Sequence, residues 1–170
     1  DSVMVFFGDP ETNGAKEDAA ACCDMAMEML TFLENNQQHV QEMYNFPEKL
    51  EVRVGIHNGL CNVGNFGSAQ RLDYTAIGRA VNVASRLEQA APKNSILVSS
   101  AVHNLIKDKF ETSSQIDVKA KGIDKPIASY VLTKKTAADK KIRKEIDGLK
   151  VEYDPQKIDR ETLLKFIDEL

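Results

Sequence analysis

Asn82 and Arg86 stand four residues apart in Gly78-Arg-Ala-Val-Asn-Val-Ala-Ser-Arg-Leu-Glu88. On a helix that spacing sets both on one side, a turn apart. An amide that donates and accepts, followed by a guanidinium with a fork of donors, is chemistry suited to holding a phosphate. The same spacing also describes a solvated helix surface, and spacing alone favours that plainer reading. Other reactive side chains form weaker patterns. His57, beside Asn58-Gly59, has no second ligand at metal spacing and reads as a structural histidine. Asp73 reads as a surface acid on a strand edge. Cys22, Cys23 and Cys61 are too few and too awkwardly spaced for a disulfide framework or a zinc site. The adjacent pair sits in a helical pattern, where at least one thiol packs as a small hydrophobe, and a reducing compartment fits best.

The helix carrying Asn82 and Arg86 shows Ala80, Val81, Ala84, Leu87 and Ala91 at 3.6-residue spacing, which predicts a packing face on its other side. A strand, Arg71-Leu-Asp-Tyr-Thr75, and a tight turn feed it. Before these, residues 50–57 alternate as a half-buried strand, and Asn58-Gly59 offers hairpin chemistry toward a continuation at 60–63. Gly64-Asn-Phe-Gly-Ser68 reads as a flexible link. Residues 15–43 predict a helix with Ala19, Cys23, Ala26, Met27, Leu30 and Leu33 on its apolar side, broken near Asn45-Phe-Pro47. The opening run Asp1-Ser-Val-Met-Val-Phe-Phe-Gly8 predicts a buried strand with no preceding element to pair with, so the chain reads as a fragment. Beyond the central helix come a strand at 95–98, a helix capped by Ser99 or Ser100 and running to about 106, and a hairpin of 116–122 with 127–132. From about Thr133 the composition shifts. Lys140-Lys-Ile-Arg-Lys144 predicts a charged helix broken at Gly148, and Asp159 caps an amphipathic helix with Leu163, Leu164, Phe166, Ile167 and Leu170.

With 170 residues, 42% of them hydrophobic and 28% charged, the chain suits one domain with a real core plus an appendage. Its net charge is −4, and the lysines between Lys107 and Lys125 are not interleaved with aromatics, which argues against a nucleic-acid partner. No apolar run approaches the ~20 residues that span a bilayer, and no signal peptide is evident. A soluble, cytoplasmic piece is expected, with membrane attachment of a parent protein left open.

Gly78-Arg-Ala-Val-Asn-Val-Ala-Ser-Arg-Leu-Glu88, preceded by Arg53-Val-Gly-Ile-His-Asn-Gly59 and Gly64-Asn-Phe-Gly-Ser68, resembles the catalytic domain of class III nucleotide cyclases, most like the bacterial and soluble-type adenylate cyclases. The resemblance runs over residues 1–132 and implies an α+β, ferredoxin-like cyclase core whose N-terminal β-α unit is absent from this chain. Residues 133–170 would be a charged and amphipathic helical extension. The resemblance further implies that Asn82 orients the ribose and Arg86 neutralises charge on the α-phosphate. Thr75, seven positions before Asn82, would read adenine, where guanylate cyclases typically carry cysteine. Lys119 would hold the distal phosphates. Asp1 would bind metal, together with an acid on an earlier strand outside this sequence. One departure is Leu60, where mammalian-type relatives place a phosphate-binding arginine. The implied cofactors are two divalent cations, Mg2+ or Mn2+, and the implied substrate is ATP. The implied assembly is a homodimer with sites at its interface, governed by an upstream sensor domain. The activity implied is that of an adenylate cyclase. Its alternatives are a guanylate cyclase and a non-catalytic cyclase-like dimerisation module.

Overall fold

The computed structural model describes residues 2–68, 70–119, 126–135, 142–146, 149–153, 162 and 165. Its apolar pattern is densest in β4 (Ser95–Ser99), where Ile96, Leu97 and Val98 form an unbroken buried run. Such a run belongs to a strand covered on both faces. β1 (Arg53–Ile56) lies parallel to β4 on one edge, with Val54 opposite Ile96 and Ile56 opposite Val98. β7 (Ile127–Lys135) lies antiparallel on the other edge, from Ile96 opposite Leu132 to Ser99 opposite Ser129. β5 (Phe110–Thr112) and β6 (Ile116–Val118) follow one another along the far edge of β7, both antiparallel to it.

The alternation of β4 divides the core into two. Ile96 and Val98 join Ile56, Phe110 and Leu132 against α1 (Ala15–Tyr44) and α3 (Ser100–Ile106), which contribute Ala19, Ala20, Cys23, Ala26, Val102 and Ile106. Leu97 packs instead with Val83, Leu87 and Ala91 of α2 (Arg79–Ala90) and its C-cap, and with Val118 of β6. The sheet is thus sandwiched, with α1 and α3 on one side and α2 on the other. Full burial of a leucine such as Leu87 stabilises by about 1.5–3 kcal/mol, so this small second cluster firmly anchors α2. The helix also comes unusually close to β1. A Cβ on Gly55 would lie 2.2 Å from the Glu88 backbone nitrogen and 2.3 Å from the Ala84 carbonyl oxygen, so glycine is what lets the two backbones meet.

Several expected elements form as read. α1 ends at Asn45, which takes the left-handed conformation and donates its N–H to the Gln41 carbonyl. Ser99 caps α3 by accepting from the Val102 N–H, and β6 with β7 forms the expected hairpin. Cys23 is fully buried, and burial pushes the thiols of Cys22 and Cys23 up to about 11 and about 12, so both remain protonated fillers of the core.

Other expectations are corrected. Residues 2–8 form no strand, and Val3, Met4, Val5 and Phe7 are exposed. A strand requires a neighbouring edge to take its backbone hydrogen bonds, and among the described residues none pairs with this run. β1 makes no hairpin through Asn58-Gly59 and pairs in parallel with β4. β2 (Asn62–Ser68) pairs instead with β3 (Arg71–Ile77), from Asn62 opposite Ile77 to Ser68 opposite Arg71. Gly64 to Ser68, read as a link, is therefore the body of a strand. On α2 the buried pair is Val83 and Leu87, whereas Ala80, Val81 and Ala84 are half-buried. Where a charged helix was expected, residues 142–146 are strand. β8 (Ile142–Ile146) and β9 (Leu149–Tyr153) make an antiparallel hairpin there, with Ile146 opposite Leu149. The amphipathic helix expected after Asp159 lies outside the described residues, apart from Thr162 and Lys165, whose backbones are helical. No helix among the described residues is long and apolar enough to cross a membrane.

Candidate active site

α2 starts at Gly78, whose φ of 155° lies in a region that side chains avoid, and a Cβ there would sit 3.2 Å from the Cys61 Cα. The turn from β3 into α2 is thereby pressed against the connection between β1 and β2. One turn into the helix Asn82 is exposed, and its backbone N–H reaches the Gly78 carbonyl at 3.4 Å. Arg86 follows a turn later, half-buried, and its guanidinium donates to the Gln89 side-chain oxygen at 2.9 Å. That partner is neutral. Among the described residues no carboxylate pairs with Arg86, in contrast to Arg53 with Glu88 and Arg71 with Asp73. An arginine held by a neutral amide keeps its full charge for an anion.

Thr75 lies on β3, half-buried, opposite Gly64 and three residues before the Gly78 turn. Its neighbour Tyr74 meets the N-terminal segment: its ring lies 6.1 Å from that of Phe6, and its hydroxyl donates to the Asp9 carboxylate, which pushes the phenol pKa up. Residues 6–9 thus meet β3 at Tyr74, on the face opposite the Thr75 side chain. Asp1 itself lies outside the described residues. Lys119 is exposed and directly follows Val118, whose side chain is buried against α2. Asn82, Arg86 and Lys119 thus stand on elements locked together by one apolar cluster, and Thr75 is joined to them through the Gly78 turn. Among the described residues, no hydrogen bond or ion pair links these four side chains to one another. Asp73 is ion-paired to Arg71 on the surface at 3.4 Å, in keeping with a strand-edge acid.

For a divalent cation, the carboxylate of Asp1 has the hard oxygen donors that Mg2+ and Mn2+ prefer. Among the described residues, no group of three or more His, Cys, Asp or Glu side chains is arranged to hold a metal. A groove of about 420 Å³ runs along α1, lined by Asp24, Met27, Glu28, Thr31, Phe32, Asn35 and Asn36, and contains none of the candidate residues.

Reading the sequence assigned His57 to structure but gave it no partner. Its Nδ1 lies 2.9 Å from the Ser99 Oγ, and burial, reinforced by the nearby positive charge of Arg79, lowers its pKa and keeps the ring neutral. The close approach that Gly55 permits also escaped notice. A glycine interrupting an otherwise apolar strand pattern is the signal that marks such close backbone approaches.

The family model for the adenylate and guanylate cyclase catalytic domain matches residues 1–134. The chain is 33% identical to an adenylate cyclase of Anabaena cylindrica over 135 residues, which cover 76% of this chain and 26% of that protein. It is 36% identical to adenylate cyclase 1 of Rhizobium meliloti over 124 residues, or 72% of this chain and 18% of that one. The chain therefore spans about a quarter or less of the length of these relatives. Among solved structures, the adenylyl cyclase CyaB from P. aeruginosa superposes with a TM-score of 0.70 at 37% identity, covering 84% of this chain and 67% of that one. The mixed sheet, the helix with its Asn and Arg, and these matches together show that the chain belongs to the adenylate and guanylate cyclase catalytic domain family, the class III nucleotide cyclases.

Proposed function

We propose that this chain is the catalytic domain of an adenylate cyclase, which converts ATP to 3′,5′-cyclic AMP and pyrophosphate. The 3′-hydroxyl of the ribose gives up its proton, and its oxygen bonds to the α-phosphorus of the same nucleotide. The bond from that phosphorus to the bridging oxygen breaks, and pyrophosphate leaves. Little covalent chemistry falls to the protein, so its residues act by positioning and by charge. Asn82 orients the ribose so that the hydroxyl faces the phosphorus. Arg86 neutralises the charge that develops around the α-phosphate. Lys119 holds the distal phosphates, and the Thr75 hydroxyl, able both to donate and to accept, meets the amino edge of adenine. Two divalent cations, Mg2+ or Mn2+, supply further positive charge when bound, and Asp1 is the carboxylate of this chain that would hold one. The active sites form at the interface of a homodimer, with the metal acid from one subunit and the Asn and Arg from the other, and an upstream sensor domain governs the rate.

The observation that carries this reading is Arg86 on α2. It stands a turn beyond Asn82, and its recorded partner is a neutral amide, while Val83 and Leu87 hold the rest of the helix in the core. The family model spans both adenylate and guanylate cyclases, so the base rests on Thr75 and on the adenylate cyclase relatives. The test is to incubate the complete polypeptide with ATP or GTP and Mg2+ or Mn2+ and to quantify both cyclic nucleotides. Cyclic AMP is expected to dominate. A dominant cyclic GMP signal would make the protein a guanylate cyclase, and no product from either would make it a non-catalytic module.

A further inference from the structure

β1 and β4 run parallel, and their register ends with Ile56 opposite Val98. The next residue of each chain, His57 and Ser99, meets side chain to side chain, with Nδ1 2.9 Å from Oγ. Ser99 is 2% exposed, and its Oγ already accepts the Val102 N–H at 3.4 Å to cap α3. A hydroxyl proton buried this deeply needs an acceptor, and Nδ1 of a neutral imidazole that carries its own proton on Nε2 supplies one. The far side of the ring faces α2. A Cβ on Gly59 would lie 3.1 Å from the His57 Nε2 and 3.1 Å from the Ala80 Cβ, so the ring edge and the first turn of α2 converge on the space that this glycine leaves open. Ala80 is the second residue of α2 and precedes Asn82 by two. Two residues after Gly59, Cys61 abuts Gly78, the residue that opens α2.

We propose that His57 is a positioning residue: held by the buried Ser99 hydroxyl, its neutral ring sets the first turn of α2, and with it Asn82, and protonation of the ring releases that turn. The inference rests on the cyclase reading for its effect on rate, but its structural content stands apart from it. Protonation converts Nδ1 from acceptor to donor. The Ser99 hydroxyl must then turn its proton away inside the core, and an unpartnered buried donor is strongly disfavoured. From α2, Arg79 presents a second positive charge to the ring. From β4, Ser99 faces it, and from the β1–β2 connection, Gly59, neither of them charged. The sign follows: the neutral ring is the form the fold favours, so its contribution is complete above the ordinary histidine value of about 6.5 and is lost as the pH falls through the lower value in the fold.

Two variants separate positioning from mere packing. Asparagine at this position has an oxygen close to the place of Nδ1 and does not titrate, whereas leucine fills the volume and accepts nothing. In the complete polypeptide, His57→Leu is expected to lower kcat for cyclic AMP formation by roughly tenfold at pH 7.5 with little change in KM, a loss of the size that small misplacements cause. His57→Asn is expected to keep most of the wild-type kcat at pH 7.5 and to lack the wild-type decline below about pH 6.5. A wild-type kcat and pH profile in His57→Leu, or an undiminished acid decline in His57→Asn, overturns the proposal. A second readout needs no activity. In 15N-labelled protein, the His57 ring is expected to carry its proton on Nε2, and the backbone amides of Arg79, Ala80 and Asn82 should shift as the ring titrates. They should stay still over the same range in His57→Asn. Helix amides that ignore the titration overturn the proposal even if the wild type makes no cyclic nucleotide, and the latter result alone defeats the cyclase reading.

Discussion

Arg86 is the residue on which the proposed chemistry turns, because its charge has no carboxylate partner among the described residues while its helix is anchored independently. Arg86→Ala should lower turnover by roughly 10²- to 10³-fold, the loss typical when one transition-state donor is removed. The check is kcat for cyclic AMP beside a thermal melt. An unchanged melt with lost turnover fits the role, and near-normal output from a folded variant removes it. The Asn82–Arg86 pair was legible in the sequence because both its members lie on one helix, where spacing alone fixes the geometry. His57 was legible only as a structural histidine. Its partner Ser99 lies 42 residues further on, and the parallel register that joins them is a long-range contact that local pattern does not encode.

Among the elements, α2 and β1 are the pair whose separation decides where the polar side of the helix stands. At Gly55 an added Cβ would overlap backbone atoms on Glu88 and Ala84, which side-chain rotation cannot relieve. Gly55→Ala should therefore destabilise the domain by about 1–3 kcal/mol or more, as overpacking does, and should reduce activity by displacing α2. Gly64→Ala is the matched control, because its Cβ would meet only the Phe66 ring, at 3.9 Å. Urea midpoints of the two variants check this, and equal midpoints would mean that the contact is not tight. The same scale shows why some elements could be read and others not. α1, β4 and α3 carry their own apolar periods and caps, so local pattern suffices for them. The β1–β2 hairpin was misread because Asn58-Gly59 has turn chemistry, while the parallel pairing of β1 with β4 is a long-range contact that local pattern does not encode. The tail was misread because Ile142 and Ile146 are spaced like a helix face, while Leu149, Val151 and Tyr153 alternate as a strand. The run from Val3 to Phe7 has strand-forming residues, but pattern does not supply the edge that a strand needs.

At the scale of the whole molecule, the described residues bring Thr75, Asn82, Arg86 and Lys119 onto connected elements, yet no complete metal-holding cluster occurs among them. In the proposed homodimer, each active site would combine the metal acids of one subunit with the Asn and Arg of the other. The family model's match covers residues 1–134, so on the proposed roles one chain would carry members of both half-sets. The central claim is therefore tested most directly by complementation. Asp1→Ala and Arg86→Ala variants of the complete polypeptide are assayed for cyclic AMP separately and then after mixing and subunit exchange. Each alone should be nearly inactive, and the mixture should recover about a quarter of wild-type output, since half of randomly paired dimers are mixed and each has one intact site. A mixture no more active than the separate variants would contradict a shared site.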